Sequence, residues 1–196
     1  MEAFETEVFP IFLRLEGRTV LVVGGGEIAT RKVTDLLVAK ARVKVVTKEA
    51  SETITALVAE GKIELALRAF EPTDVDGAWF IISATNDSAV NGEVSKMAEA
   101  RRIFICSVDD PEHASAYFGG IVRRPPFLIS ISSSGALPAM TRLLRQVIES
   151  VIPEDALIDD ARELRASWKK NNVPMGARFP ELVKLIAARA EKETPR

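Results

Sequence analysis

Apolar and polar residues follow one another along the first half of the chain in a pattern that predicts alternating strands and helices. Residues 19–23 read as a buried strand, with a continuous apolar run over 20–23, and lead through a glycine turn directly into a helix. In this helix the apolar residues have the spacing of a helix that lies on a sheet: Ala29, Val33, Leu36 and Leu37. Further strands are predicted over 41–46, 63–67, 78–84 and 103–108, with helices over 51–61 and 88–100. This alternation predicts an α/β fold with right-handed βαβ units, a Rossmann-like doubly wound parallel sheet.

The pattern changes after residue 112. Two short strands are predicted over 116–122 and 127–132, then a helix from Pro138 to about residue 151, a charged helix over 155–170, and a last helix after a loop bracketed by Pro174 and Pro180. The sequence therefore predicts a Rossmann domain over 1–112, a small α+β region for dimerisation and substrate binding over 113–150, and a C-terminal helical region over 151–196. Exposed edges on the short strands favour a homodimer whose active site lies partly at the subunit interface.

Composition and charge exclude several classes of protein. The 196 residues are 47% hydrophobic and 28% charged, and the net charge of -2 gives no support for nucleic-acid binding. Cys106 and His113 are the only cysteine and histidine, so one chain cannot form a disulfide framework or a Cys/His zinc site, and no metal site is predicted. The first residues lack the features of a signal peptide, and no apolar run is long enough for a membrane span. A soluble cytoplasmic protein is expected.

The glycine turn is the first candidate binding site. Gly24, Gly26 and Ala29 fit the G-x-G-x-x-[GA] dinucleotide fingerprint. Gly24 is expected to make the tight turn, Gly26 to let a pyrophosphate approach the backbone, and Ala29 to let the helix lie close to the sheet. The positive end of the helix dipole would face the phosphates. Glycine-rich turns between a strand and a helix also occur without any nucleotide, and that alternative stays open here.

The residues at the end of the second strand leave the cofactor type open. NAD-binding domains usually carry an acidic residue about twenty positions beyond the glycines, which binds the adenine ribose. Here Thr47 and Lys48 come nearest to that place, and Glu49 follows. Lys48 is also suited to a 2′-phosphate, so the motif does not decide between NAD and NADP. A solvated Lys/Glu pair at a strand end is the simpler alternative.

Polar residues follow the fourth strand at the edge where open α/β sheets bind ligands. Thr85 and Asn86 are expected to line the nicotinamide half of the site. Asp87 is either a further member of this group or the N-cap of the next helix.

Two aspartates follow the fifth strand at the same edge. Side chains alternate along an extended backbone, so only one of them should enter the cleft. Asp110 precedes Pro111 and is the more natural turn residue, which leaves Asp109 as the candidate catalytic carboxylate, although both could be turn formers. His113 is either a proton shuttle or an incidental loop residue.

Basic residues in the second half of the chain suit an anionic substrate. Arg123 and Arg124 precede a serine-rich loop, and Arg142 and Arg145 follow it at helical spacing. They would form a basic rim, or each would be a solvated surface residue.

Taken together, the motifs resemble one family over nearly the whole chain. The matching segments are Pro10-Ile11-Phe12, Gly17-Arg18, Val20 to Ala29 with Arg31-Lys32, Ala84-Thr85-Asn86-Asp87 with Val90-Asn91, Val108-Asp109, Ala114-Ser115, Ile129 to Ser133, and Gly135 with Pro138. The chain resembles the precorrin-2 dehydrogenase family of sirohaem biosynthesis, the stand-alone counterpart of the N-terminal module of sirohaem synthase.

The resemblance implies oxidation of precorrin-2 to sirohydrochlorin with NAD as hydride acceptor, and in some relatives insertion of Fe²⁺ or Co²⁺ at the same site. By position, Glu27, Ile28, Lys48 and Glu49 would contact the cofactor, Asp109 would be the catalytic aspartate, and Ser133 would lie near the tetrapyrrole. Because precorrin-2 carries eight carboxylates, a cleft rimmed by Arg123, Arg124 and Arg142, with His113, would suit it.

Two departures from the family pattern concern the substrate side. Members often have Gly-Thr-Ser-Pro or Gly-Ala-Ser-Pro where this chain has Gly135-Ala136-Leu137-Pro138, which removes one or two hydroxyls. A proline common before the second strand of the tail is replaced around Gly119-Gly120. These changes put chelatase activity in doubt. A non-catalytic, NAD(H)-sensing dimer is the alternative function.

Overall fold

The structure is a computed structural model, which describes residues 8–108, 110–152 and 155–193. The chain forms two compact units. One comprises the residues up to Gly119 together with Ser132–Leu137, and the other comprises Gly120–Ile131 and the chain from Pro138 onwards. The three functional regions expected from the sequence, 1–112, 113–150 and 151–196, stay a prediction.

The first unit contains a five-stranded parallel sheet with helices on both faces. Its elements in chain order are β1 Thr19–Val23, α1 Glu27–Val38, β2 Arg42–Thr47, α2 Glu52–Ala59, β3 Glu64–Leu67, β4 Phe80–Ser83, α3 Ser88–Ala100 and β5 Ile105–Ser107, with short 3-10 helices at Pro72–Val75 and Pro111–His113. The strand order is β3-β2-β1-β4-β5. The expected α/β Rossmann-like fold is confirmed.

The central strand explains why the apolar runs are continuous. Successive residues of β1 face opposite sides of the sheet, and both sides are covered. Val20 and Val22 pack with α1 and α2 on one face, while Leu21 and Val23 pack with α3 on the other. Neither face is open to water from Val20 to Val23, and the polar residue of the strand, Thr19, lies at its partly exposed start.

The strand predicted over 116–122 begins later than expected. The segment before it lies along the edge of β5, where the N–H groups of Ser115 and Ala116 both donate to the carbonyl of Ile105 at 2.9 Å. The Ser115 hydroxyl accepts from the Ile105 N–H at 3.0 Å. These residues therefore cover the edge of the parallel sheet instead of starting the next strand.

The second unit contains an antiparallel hairpin and three helices: β6 Gly120–Arg124, β7 Phe127–Ile131, α4 Pro138–Val151, α5 Asp155–Lys170 and α6 Met175–Glu193. The predicted loop between Pro174 and Pro180 is wrong, because α6 begins at Met175 and includes Pro180. A proline inside a helix costs one hydrogen bond. Packing of α5 on α6 outweighs this local preference, since the buried Trp168 donates through Nε1 to Glu181 at 2.5 Å.

Candidate functional site

The glycine turn after β1 is shaped by two close backbone approaches. Gly24 has φ +121°, and a Cβ there would collide with the carbonyl group of Ala84, as expected of the residue that makes the tight turn. A Cβ on Gly25 would collide with the carbonyl oxygen of Glu49. The requirement at Gly25 was missed by the sequence reasoning, because the fingerprint treats this position as free.

The start of α1 is open and is not capped by a side chain. Gly26 is the N-cap residue, makes no side-chain cap hydrogen bond, and has no atom within 4 Å of where a Cβ would stand. By contrast, the Ser51 side chain caps α2, and Asp87 caps α3 by accepting from the N–H groups of Ala89 and Val90. The N-cap role proposed for Asp87 is therefore confirmed. Open space and uncapped N–H groups at α1 fit a pyrophosphate.

The residues proposed for the ribose end lie beside this turn. Thr47 closes a small loop, because its hydroxyl donates to the Glu49 carbonyl at 2.8 Å. The Ser51 N–H donates to the Gly25 carbonyl at 3.0 Å, which ties the loop to the glycine turn. Lys48 and Glu49 are exposed. The loop therefore offers a charge of each sign at the end of β2.

A cleft of about 380 Å³ opens between the start of α1 and the carboxyl ends of β4 and β5. It is lined by Ile28, Ala84, Thr85, Asn86, Ser88, Asn91, Val108 and Asp110. Three residues proposed from the sequence, Ile28, Thr85 and Asn86, thus line one cleft. The order of the strands reverses between β1 and β4, and ligands of open α/β sheets bind at such a switch point.

Asn91 holds the wall of this cleft together. Its side chain is buried, and its amide oxygen accepts from the hydroxyls of Ser83 and Thr85, each at 2.7 Å. Its amide nitrogen donates to the Thr85 carbonyl at 3.3 Å and to Asp110 Oδ2 at 3.2 Å. Asn91 therefore links the loop after β4 to the loop after β5, a role that the sequence reasoning did not assign.

Asp110 begins the turn expected of it, as the N-cap residue of the 3-10 helix at Pro111, but the sequence reasoning gave it no place in the site. Its carboxylate lines the cleft and also contacts His113, with 2.8 Å between Oδ1 and the imidazole Nδ1. The hydrogen bond from His113 holds the pKa of the Asp110 carboxyl below its ordinary value. His113 is thus part of a hydrogen-bonded pair. Asp109, the proposed catalytic residue, lies outside the described residues.

The proposed substrate residues are divided between the two units. Arg123 and Arg124 lie on β6 and Arg142 lies on α4, all in the second unit. Arg145 forms an ion pair with Glu149 at 2.5 Å. Ser133, in the first unit, accepts the Leu137 N–H at 3.1 Å through its hydroxyl. A basic rim made by these arginines stays a prediction.

Two features are absent from the described ranges 8–108, 110–152 and 155–193. No group of three or more His, Cys, Asp or Glu side chains there is placed to hold a metal ion. No helix within the same ranges is long and apolar enough to cross a membrane.

Residues 11–120 match the model of a family described as putative NAD(P)-binding. The chain belongs to this NAD(P)-binding family. The match agrees with the cofactor expected from the sequence and covers the glycine turn, the cleft and both loops joined by Asn91. Of the two interpretations of the glycine turn, with and without a nucleotide, the family match supports nucleotide binding.

Relatives refine this family assignment. Sirohaem synthase of Actinobacillus pleuropneumoniae serotype 7 is 41% identical over 175 residues, which cover 88% of this chain and 35% of that protein. Sirohaem synthase of Methylobacillus flagellatus is 46% identical over 147 residues, covering 75% of this chain and 32% of that protein. The chain therefore spans about a third of the length of these relatives.

A solved structure matches over almost the full length of both chains. The precorrin-2 dehydrogenase SirC superposes with a TM-score of 0.75 at 27% identity, covering 91% of this chain and 89% of that one. Together with the sirohaem synthases, it confirms the resemblance to the precorrin-2 dehydrogenase family that the sequence motifs indicated.

Proposed function

We propose that the chain catalyses the NAD-dependent oxidation of precorrin-2 to sirohydrochlorin in sirohaem biosynthesis. The observation that carries this proposal is the match to the precorrin-2 dehydrogenase SirC over nine-tenths of both chains. The cleft beside the glycine turn supports it, because it opens at the switch point between β1 and β4, where the nicotinamide half of a dinucleotide is expected.

The cofactor would extend from the glycine turn into the cleft. Gly24 would make the tight turn, Gly26 would let the pyrophosphate approach, and Lys48 and Glu49 are proposed to contact the ribose. The other proposed contacts are Glu27, Ile28, Thr85 and Asn86, the last three in the cleft wall. NAD supplies the hydride acceptor.

The oxidation removes a hydride and a proton from the tetrapyrrole. Asp109 is proposed to take the proton, so that neither charge nor atoms are left over when the hydride goes to NAD⁺. Arg123, Arg124, Arg142, His113 and Ser133 are proposed to bind the substrate carboxylates. Insertion of Fe²⁺ or Co²⁺ into the product is a separate activity that the assay below tests.

A homodimer is supported by an apolar stripe on α4. Met140, Leu144, Val147 and Val151 recur at helical spacing and are 43–69% exposed. Exposed apolar stripes of this kind mark protein interfaces. We expect Val147→Glu to convert the dimer to a monomer in sedimentation experiments, while Glu149→Lys, a charge change off the stripe, leaves the mass unchanged. A wild-type chain that sediments as a monomer would contradict the proposed homodimer.

A cytoplasmic location is proposed from the expected pathway.

The activity is tested by an anaerobic assay with precorrin-2 made in situ and NAD⁺, following NADH formation. Wild-type protein should form NADH, and Asp109→Asn should lose nearly all of this rate without loss of stability. Gly26→Ala should fold normally, because its Cβ meets no atom within 4 Å, yet bind NAD⁺ weakly. Sirohydrochlorin with Fe²⁺ or Co²⁺ is supplied in separate reactions. Tight NAD(H) binding without any turnover would point instead to a non-catalytic sensing domain.

A further inference from the structure

The carboxylate of Asp110 is held in the cleft wall by donors on two elements. His113 Nδ1 lies 2.8 Å from Oδ1, while the Asn91 amide and the Ser88 hydroxyl lie 3.2 and 3.3 Å from Oδ2. The side chain is only 16% exposed. Its position and orientation are therefore set by the fold, although the proposed oxidation assigns it no role.

Helix α3, which faces this pair, leaves space for the His113 ring. Gly92 lies inside α3, where glycine is unfavourable. A Cβ at this position would stand 3.0 Å from His113 Nε2 and 3.4 Å from its Cδ2. The missing side chain thus leaves room for the imidazole, which in turn contacts Asp110.

The surroundings of Asp110 also keep it anionic. Its pKa is lowered by hydrogen bonds from His113, Asn91 and Ser88 and by the charge of His113, against a smaller rise from burial. The other ionisable side chains on the elements that hold the pair are Asp87 at the N-cap of α3, Glu93, Lys96 and Glu99 on α3, and Glu112 beside His113. Among the described residues, His113 is the one whose charge shifts the pKa of Asp110.

The topology places this anion at the nicotinamide end of the site. The glycine turn follows β1 and the ribose loop follows β2, so the opposite half of the dinucleotide extends toward β4 and β5, where Asp110 lies. Oxidised nicotinamide carries a positive ring charge, which is removed when a hydride is accepted. An anion in this wall therefore interacts differently with the two redox forms of the cofactor.

We propose that the Asp110 carboxylate selects the oxidised, cationic form of the dinucleotide over the reduced form. The cleft thereby favours binding of NAD⁺ before the reaction and release of NADH after it. This inference rests on the proposed function, because it requires the dinucleotide to occupy this cleft.

The test compares dissociation constants for NAD⁺ and NADH, measured separately by calorimetry on the full chain. Asp110→Asn keeps the shape of the side chain and removes its charge. The ratio of Kd for NAD⁺ to Kd for NADH should rise about three- to tenfold, the size expected of one charge interaction at a partly hydrated site. The ratio cancels any effect on the pyrophosphate or on folding that both forms share.

Glu112→Gln is the matched control, because it removes the same charge from an exposed side chain two residues away. It should leave the ratio unchanged. Should Asp110→Asn fail to fold, His113→Gln replaces it: this change removes the imidazole that contacts Asp110 Oδ1 and leaves the carboxylate freer to attract the nicotinamide cation, so the ratio should fall.

The outcomes separate this inference from the proposed function. A ratio unchanged in Asp110→Asn, or equal weakening of both forms, would overturn the role of Asp110, as would a ratio that stays the same or rises in His113→Gln. Wild-type protein that binds neither form would instead contradict the proposed function. Normal binding of both forms without turnover of precorrin-2 would reject the proposed reaction and leave the role of Asp110 standing.

Discussion

Replacing Asn91 by aspartate tests whether this residue joins the two loops of the cleft. Aspartate has the same shape and can still accept the hydroxyl hydrogen bonds of Ser83 and Thr85, each 2.7 Å long in the wild type. It loses the amide that donates to Asp110. Two carboxylates would then face each other across the 3.2 Å that now separates Asn91 Nδ2 from Asp110 Oδ2.

The size of the effect follows from that distance. With an effective dielectric constant of about 20, two unit charges 3.2 Å apart repel by about 5 kcal/mol. Binding one proton between them relieves most of this repulsion, because a protonated carboxyl donates to its neighbour. The folded variant therefore binds more protons than the unfolded chain, and its stability falls as the pH rises.

Urea denaturation at pH 8 and pH 5 measures this difference. We expect Asn91→Asp to lose about 3 to 5 kcal/mol of unfolding free energy at pH 8, and about 2 kcal/mol or less at pH 5. Asn91→Ala is the control, since it abolishes the hydrogen bonds without adding a charge. Its loss should be about 2 to 4 kcal/mol and similar at both pH values. A loss in Asn91→Asp that does not change with pH would refute the proposed contact with Asp110.

Three further substitutions test other contacts. Gly25→Ala should lower the unfolding free energy by about 1 to 3 kcal/mol in urea, because the new Cβ collides with the Glu49 carbonyl. Asp74→Asn should cost about 2 to 4 kcal/mol at pH 7, since this carboxylate is 1% exposed and binds an arginine and a lysine. Because the pKa of Asp74 is held well below its ordinary value, the difference from wild type should shrink as the pH falls below about 4. Gly92→Ala should displace His113, the single histidine, and change its imidazole NMR signals with little loss of stability.

Each of these has an outcome that contradicts it. Gly26→Ala should cost less than about 0.5 kcal/mol, so equal losses at the two glycines would rule out the collision at Gly25. An effect of Asp74→Asn that stays constant into acid would show that the ion pairs do not stabilise the fold. Unchanged imidazole signals in Gly92→Ala would show that α3 does not hold the ring.

Local patterns were sufficient for the sheet and for the nucleotide end of the site. Continuous apolar runs arise wherever both faces of a strand are covered, and the fingerprint at Gly24 and Gly26 is contained in a few consecutive residues. Both are properties of short stretches of chain. The strand order and the cleft then follow from general rules for parallel sheets.

The residues that hold the cleft and the glycine turn in place could not be predicted from short stretches of sequence. Asn91 is polar and lies on a helix, and its burial depends on contacts with Ser83 and Thr85 at the end of β4 and with Asp110, nineteen residues later. For Asp110, a position at the turn into the 3-10 helix at Pro111 did not exclude a place in the cleft wall, because Ser88, Asn91 and His113 hold its carboxylate there. Gly25 is required by a carbonyl twenty-four residues later, at Glu49. Each of these depends on tertiary contacts.

Because no side chain caps the N-terminus of α1, a bound cofactor would complete the hydrogen bonding of this helix. Side chains cap α2 and α3, whereas the helix that follows Gly26 has no such partner. Without dinucleotide, the first-turn amide hydrogens of α1 should exchange with solvent faster than those of α2 and α3. A bound pyrophosphate would accept hydrogen bonds from those amides and slow their exchange, and binding would raise the melting temperature of the protein by mass action. In that sense the nucleotide acts as the missing N-cap of the first helix.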